Sequence, residues 1–152
     1  MITDILVIGS GISGLTYAIK IGEQNPELQL TIISKNNLLE SNTRYAQGGI
    51  AVVSNFQKDS YDKHIEDTLI AGAGKCDEEV VKFVVEEGHE RLQELMDWGT
   101  QFDKKEKGLH LTKEGGHSEN RIVHHKDSTG LEIQESLIRK IKTFPNKSTH
   151  LR

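Results

Sequence analysis

Ile5-Leu6-Val7-Ile8-Gly9-Ser10-Gly11-Ile12-Ser13-Gly14-Leu15 opens the chain with an apolar run, three spaced glycines and the start of a second apolar pattern. Four apolar, mostly β-branched residues predict a buried strand, and a Gly-x-Gly-x-x-Gly turn follows at once. Leu15, Ala18, Ile19 and Gly22 then recur at helical spacing, so a helix begins in the turn. Gly9 permits the sharp exit from the strand, Gly11 lets backbone approach a pyrophosphate, and Gly14 lets the helix lie close on the sheet. The helix N-terminus offers unpaired N–H groups and partial positive charge to that diphosphate. A glycine turn alone is a weak signal. On strand–turn–helix it reads as a dinucleotide site rather than a structural bend.

Leu30-Thr31-Ile32-Ile33 is the second strand, reached after a turn at Asn25-Pro26-Glu27, and it completes a βαβ unit over residues 5–35. Residues 36–56 carry little periodicity but hold Tyr45-Ala46-Gln47-Gly48-Gly49-Ile50-Ala51, and so long a loop usually has a function. Residues 59–99 are helical in pattern. Ile65, Leu69 and Ile70 form one stripe, closed by Gly72 and Gly74. Val80, Val81, Phe83, Val84, Val85, Leu92, Leu95 and Met96 predict two further helical stretches, or one bent at Gly88. Residues 100–126 read as loop and strand: charged, polar 100–109 as an exposed hairpin or loop, then Thr112 to His125 alternating glycines, histidines and polar groups ahead of the short apolar Ile122-Val123. Thr129-x-x-Glu132 is a capping-box pattern opening a helix over 129–143 with Leu131, Ile133, Leu137, Ile138 and Ile141, ended by Pro145. The last residues begin what reads as another strand. The fold class is therefore α/β, a Rossmann-like βαβ domain with fewer strands than a doubly wound sheet needs, so residues 1–152 read as the N-terminal part of a longer protein.

Composition narrows the function. Hydrophobic residues make up 35% of a 152-residue chain, enough for one domain core. A net charge of −4 leaves no electrostatic footprint for nucleic acid or an anionic membrane. No apolar run approaches the ~18 residues of a membrane span. Cys76 is the only cysteine, so no internal disulfide forms, and a reducing cytoplasmic setting fits. His110, His124 and His125 show no metal-ligand spacing with Cys76 or each other, so no metal site is expected.

A simple NAD enzyme would carry an acid at the end of the second strand to bind ribose hydroxyls. Ser34-Lys35 stands there instead, with Lys35 placed to meet a phosphate or the edge of an adenosine. Asn42-Thr43-Arg44-Tyr45-Ala46-Gln47-Gly48-Gly49-Ile50-Ala51 resembles the flavin-cradling loop of the succinate dehydrogenase/fumarate reductase flavoprotein superfamily. Within it, three stretches resemble the L-aspartate oxidase family. They are His64-Ile65-Glu66-Asp67-Thr68-Leu69-Ile70-Ala71-Gly72-Ala73-Gly74, then His110 to Ser118, then Arg121-Ile122-Val123-His124 with Asp127-x-Thr129-Gly130.

That resemblance implies FAD as cofactor and oxidation of L-aspartate to iminoaspartate in quinolinate and NAD biosynthesis. Oxygen or fumarate would be the electron acceptor, with iminoaspartate handed on to quinolinate synthase. By position, Gly9, Ser10, Gly11, Ile12, Ser13 and Gly14 take the diphosphate and Lys35 the adenosine end. Asn42, Thr43, Arg44, Tyr45, Ala46, Gln47, Gly48 and Gly49 wrap the flavin side. Respiratory members carry a flavin-linked histidine in a Ser-His-Thr context, where this chain has Ser41-Asn42-Thr43, so FAD is expected to be noncovalent. Glu114 is the glutamate that in the family faces the substrate pocket and favours an amino acid over succinate; an α-ammonium calls for an anionic neighbour. His117, three residues on, is a second substrate-pocket candidate, and a plain surface loop is the alternative for both. The family's catalytic arginines and capping domain fall outside this chain, so it is not expected to turn over alone. Two alternatives stay open: a fumarate reductase or succinate dehydrogenase flavoprotein, and a non-catalytic nucleotide-binding module.

Overall fold

The structure is a computed structural model and describes residues 2–106, 108–145 and 147–151. Strand β1 (Ile5–Ile8) leads into helix α1 (Ile12–Gln24) and strand β2 (Leu30–Ser34), as the opening pattern predicts. β1 and β2 run parallel with Ile5 opposite Leu30 and Ile8 opposite Ile33. Strand β8 (Lys147–Leu151) joins the other side of β2, also parallel, so the order is β1-β2-β8. The final strand expected from the sequence is thus in place.

All four predicted core positions of α1 (Leu15, Ala18, Ile19 and Gly22) are buried. Helix α4 (Thr129–Ile141) packs beside it, and Ile133, Leu137 and Ile141 join Leu15, Ile19, Leu30 and Ile32 in one core. Each such side chain contributes roughly 1.5–3 kcal/mol when fully buried.

Helices α2 (Tyr61–Ala71) and α3 (Glu78–Asp97) pair with each other and are capped at their starts. Ser60 accepts from the Lys63 N–H and Asp77 from the Val80 N–H, caps worth about 1 kcal/mol each. Two-residue strands β3 (Ile50–Ala51), β6 (Leu111–Thr112) and β7 (Ile122–Val123) make a small antiparallel sheet in the order β3-β7-β6. Strands β4 (Lys104–Lys105) and β5 (Gly108–Leu109) form the expected hairpin.

Four expectations are corrected. β1 is not buried: Leu6 is 51% and Ile8 79% exposed, because among the described residues only its Ile5/Val7 face packs into the core. α3 is one continuous helix rather than two, and Val80, Phe83 and Val84 are exposed. The run wraps the helix, and only the face bearing Val85, Leu92 and Leu95 meets the rest of the protein. On α2, the one buried residue is His64, and Ile70 is exposed. The capping box does not form. Ser128 is the N-cap without a side-chain bond, Thr129 Oγ1 accepts from the His125 N–H, and Glu132 accepts from the Gln101 N–H. Tertiary donors outcompete the local pattern.

Candidate functional site

The fingerprint turn builds a concave site. Gly9 adopts φ +108°, a left-handed conformation that carries the chain from β1 to α1. A Cβ on Gly14 would lie 2.3 Å from the Gly9 carbonyl oxygen, so the helix approaches the strand this closely only with glycine there. Ile8, Gly9, Gly11, Ile12, Ser13 and Gly14 line a cavity of ≈ 310 Å³ together with Asn42 and Thr43 from the long loop. Thr43 Oγ1 accepts the Ile12 N–H at 3.0 Å, which ties the loop to the first turn of α1. That turn has no acidic residue, and its N-cap, Gly11, supplies no side-chain cap. Ser10 is buried, and its Oγ has no hydrogen-bond partner.

Not every expected residue joins this cavity. Arg44 and Tyr45 line a separate one of ≈ 730 Å³ between the loop after β2 and α4. The Tyr45 hydroxyl donates to the Glu40 carboxylate at 2.9 Å, a bond that holds its pKa above the ordinary phenol value. Lys35 is exposed just past β2, and Gln47 and Gly48 are exposed in the loop. Gly49 meets a demand of the fold itself. It has φ +108°, and a Cβ there would lie 2.6 Å from the Val123 carbonyl oxygen on β7.

Two residues that sequence reasoning passed over hold the loop in place. Gln134, fully buried on α4, donates from Nε2 to the Ser10 carbonyl at 3.0 Å and the Leu38 carbonyl at 2.6 Å. Its Oε1 accepts from Ser41 Oγ at 2.6 Å. One side chain therefore joins the fingerprint turn, the segment after β2 and the start of the long loop. Gly130 brings the N-terminus of α4 against the same loop. Its N–H donates to the Ala46 carbonyl at 2.8 Å, and a Cβ would sit 1.9 Å from the Thr43 carbonyl oxygen. The Thr-Gly pair in the motif was the available signal for Gly130. Gln134 lay in an amphipathic helix with nothing to mark it.

Glu114 and His117 lie in a second cluster. Gly116, at φ +89°, allows the turn, and the His117 N–H donates to the Glu114 carbonyl at 3.2 Å. Glu114 is exposed. The turn rests on α2: Ser118 donates to Asp67, and the His117 ring stands 6.1 Å from that of His64. Behind it, fully buried Arg121 pairs with Asp59 and Asp67. Burial pushes the Asp67 carboxyl up, but hydrogen bonds from Ser118 and Arg121 outweigh it and bring its pKa to about 2. Burial, the Arg121 charge and His117 push the His64 imidazole below its ordinary value. His64 Nδ1 is buried without a partner.

Residues 4–150 match the family described as FAD binding domain. An L-aspartate oxidase of Yersinia pestis is 45% identical over 152 residues, covering 97% of this chain and 28% of that protein. A chloroplastic L-aspartate oxidase of Oryza sativa subsp. japonica is 47% identical over 146 residues, 95% of this chain and 22% of its own length. The chain thus spans about a quarter of the length of these relatives. Among solved structures, an E. coli quinol fumarate reductase superposes with a TM-score of 0.88 at 28% identity, over 97% of this chain and 25% of that one. Among the described residues, no helix is long and apolar enough to cross a membrane.

Proposed function

Because the chain belongs to the FAD-binding-domain family, we propose that it is the FAD-holding portion of an L-aspartate oxidase, converting L-aspartate to iminoaspartate. The observation that carries this reading is 45–47% identity to oxidases of that name along almost the whole chain. Fumarate reductase, the rival, has close backbone similarity but 28% identity. In this reading residues 1–152 are the N-terminal part of the FAD-binding domain.

The residues present fit the cofactor. The first turn of α1, which carries no acidic residue and whose N-cap Gly11 supplies no side-chain cap, suits a diphosphate's demand for donors, and the buried Ser10 hydroxyl beside it lacks a partner. Lys35 takes the adenosine end, and residues 42–49 the flavin side. Asn42 occupies the position of the flavin-linked histidine, and an amide cannot form that bond, so FAD is held noncovalently. Bound FAD supplies the hydride acceptor. The chain's own work is to bind and orient: Glu114 pairs with the α-ammonium of L-aspartate, and His117 lines the same wall. Oxygen or fumarate takes the electrons, and iminoaspartate passes to quinolinate synthase. A reducing cytoplasm suits the lone thiol of Cys76.

Glu114→Gln in the complete enzyme tests this assignment, since it keeps shape and removes charge. A charge-assisted hydrogen bond lost to the ammonium lowers kcat/KM for L-aspartate roughly tenfold to a hundredfold. Fumarate reduction by the same flavin falls by less than about threefold, because fumarate has no ammonium. Equal losses for the two substrates would remove Glu114 from amino-acid selection.

A further inference from the structure

The Glu114 carboxylate makes no hydrogen bond or ion pair among the described residues, so its place is inherited from the backbone of its turn. The end of that turn is tied to α2 at Ser118, and Glu119 beside it pairs with Lys63 at 2.8 Å. Asp67 Oδ2 accepts the Ser118 N–H at 2.7 Å and the Ser118 hydroxyl at 2.8 Å. The same oxygen accepts from Arg121 Nη1. Arg121 is in turn fixed by Asp59, which takes its Nε at 2.9 Å and its Nη2 at 2.8 Å. A fully buried guanidinium, held from behind by one carboxylate, therefore sets the orientation of a second. His64 and Asp67 are three residues apart on α2 and share a face. His64 backs the His117 ring from that face, while Asp67 holds the end of the turn.

We propose that Asp67 is the positioning residue of the amino-acid pocket, transmitting the fixed frame of Arg121 and Asp59 through Ser118 to Glu114. This rests on the assignment of Glu114 to the substrate made above. If the pair served only to neutralise Arg121, the two bonds from Ser118 would be incidental, since Asp59 already engages that guanidinium twice. Asp67 instead directs two of its three contacts at the turn.

Asp67→Ala leaves Arg121 paired with Asp59 and tests the proposal in the complete enzyme. Hydrogen exchange of the Ser118 amide is expected to accelerate at least about tenfold, with FAD content unchanged, as a charge-assisted bond is lost. KM for L-aspartate rises roughly tenfold while kcat changes less than about twofold, the pattern of lost ground-state binding. Asp67→Asn, which keeps an acceptor oxygen, restores part of both. Should Asp67→Ala not fold, Ser118→Ala removes the hydroxyl's bonds to Asp67 and Arg121 but keeps the amide bond to Asp67, and is expected to raise KM about threefold. Unchanged exchange at Ser118 overturns the proposal, and so does faster exchange with an unaltered KM. Failure of the unsubstituted enzyme to oxidise L-aspartate would overturn the proposed function instead, because exchange at Ser118 reads the anchoring by itself.

Discussion

Gly130→Ala is expected to weaken FAD binding roughly a hundredfold, an effect larger than that of any change on the exposed loop surface. The added Cβ would lie 1.9 Å from the Thr43 carbonyl oxygen, 2.8 Å from the Ala46 carbonyl oxygen and 3.0 Å from Ala46 Cβ. Two of these are backbone atoms, so no rotamer change relieves the clash. The loop must move away from α4, losing the bond from the Gly130 N–H to the Ala46 carbonyl. Overpacking of this kind costs about 1–3 kcal/mol, and the hydrogen bond about 1 more. Thr43 moves with the loop, and with it the tie to the Ile12 N–H that closes the fingerprint cavity. Titrating FAD into the variant by flavin fluorescence reads the result. An affinity within about twofold of the parent would mean that α4 does not set the loop.

Gln134→Leu is the second large effect. Leucine keeps most of the volume but supplies none of the three hydrogen bonds, and it strands the Ser41 hydroxyl and the Ser10 and Leu38 carbonyls in a buried place. Unmet buried polar groups cost about 1–3 kcal/mol each, so a loss near 3 kcal/mol is expected even with partial relaxation. For a domain of this size that lowers the Tm by roughly 10 °C. FAD affinity falls as well, because the fingerprint turn and the loop lose their common anchor. Gln134→Glu keeps the acceptor for Ser41 and sets a carboxylate against two carbonyls, so it is expected to behave no better. A Tm within about 2 °C of the parent and unchanged FAD affinity would contradict this reading.

The opening of the chain was legible because its signals are local. The apolar strand, the glycine turn and the helical spacing of Leu15, Ala18, Ile19 and Gly22 all lie within one supersecondary unit, and each appears in the structure. Gly14 was legible for the same reason: the atom it must avoid belongs to Gly9. The site's supports were not legible. Gln134 reaches Ser10 across 124 residues, and Arg121 reaches Asp59 across 62. No pattern in a helix or a short strand announces such partners. The apolar run at 80–85 misled because composition cannot say which side of a helix has a neighbour. The capping-box pattern failed for a related reason, since Glu132 found a distant N–H at Gln101 before its own helix start.

Anaerobic mixing of the FAD-loaded complete enzyme with L-aspartate, followed by flavin absorbance, separates an aspartate oxidase from a succinate-oxidising relative. L-aspartate is expected to bleach the flavin, and succinate, lacking the ammonium that Glu114 would recognise, to leave it oxidised. Bleaching by succinate with no response to L-aspartate would contradict the proposed function.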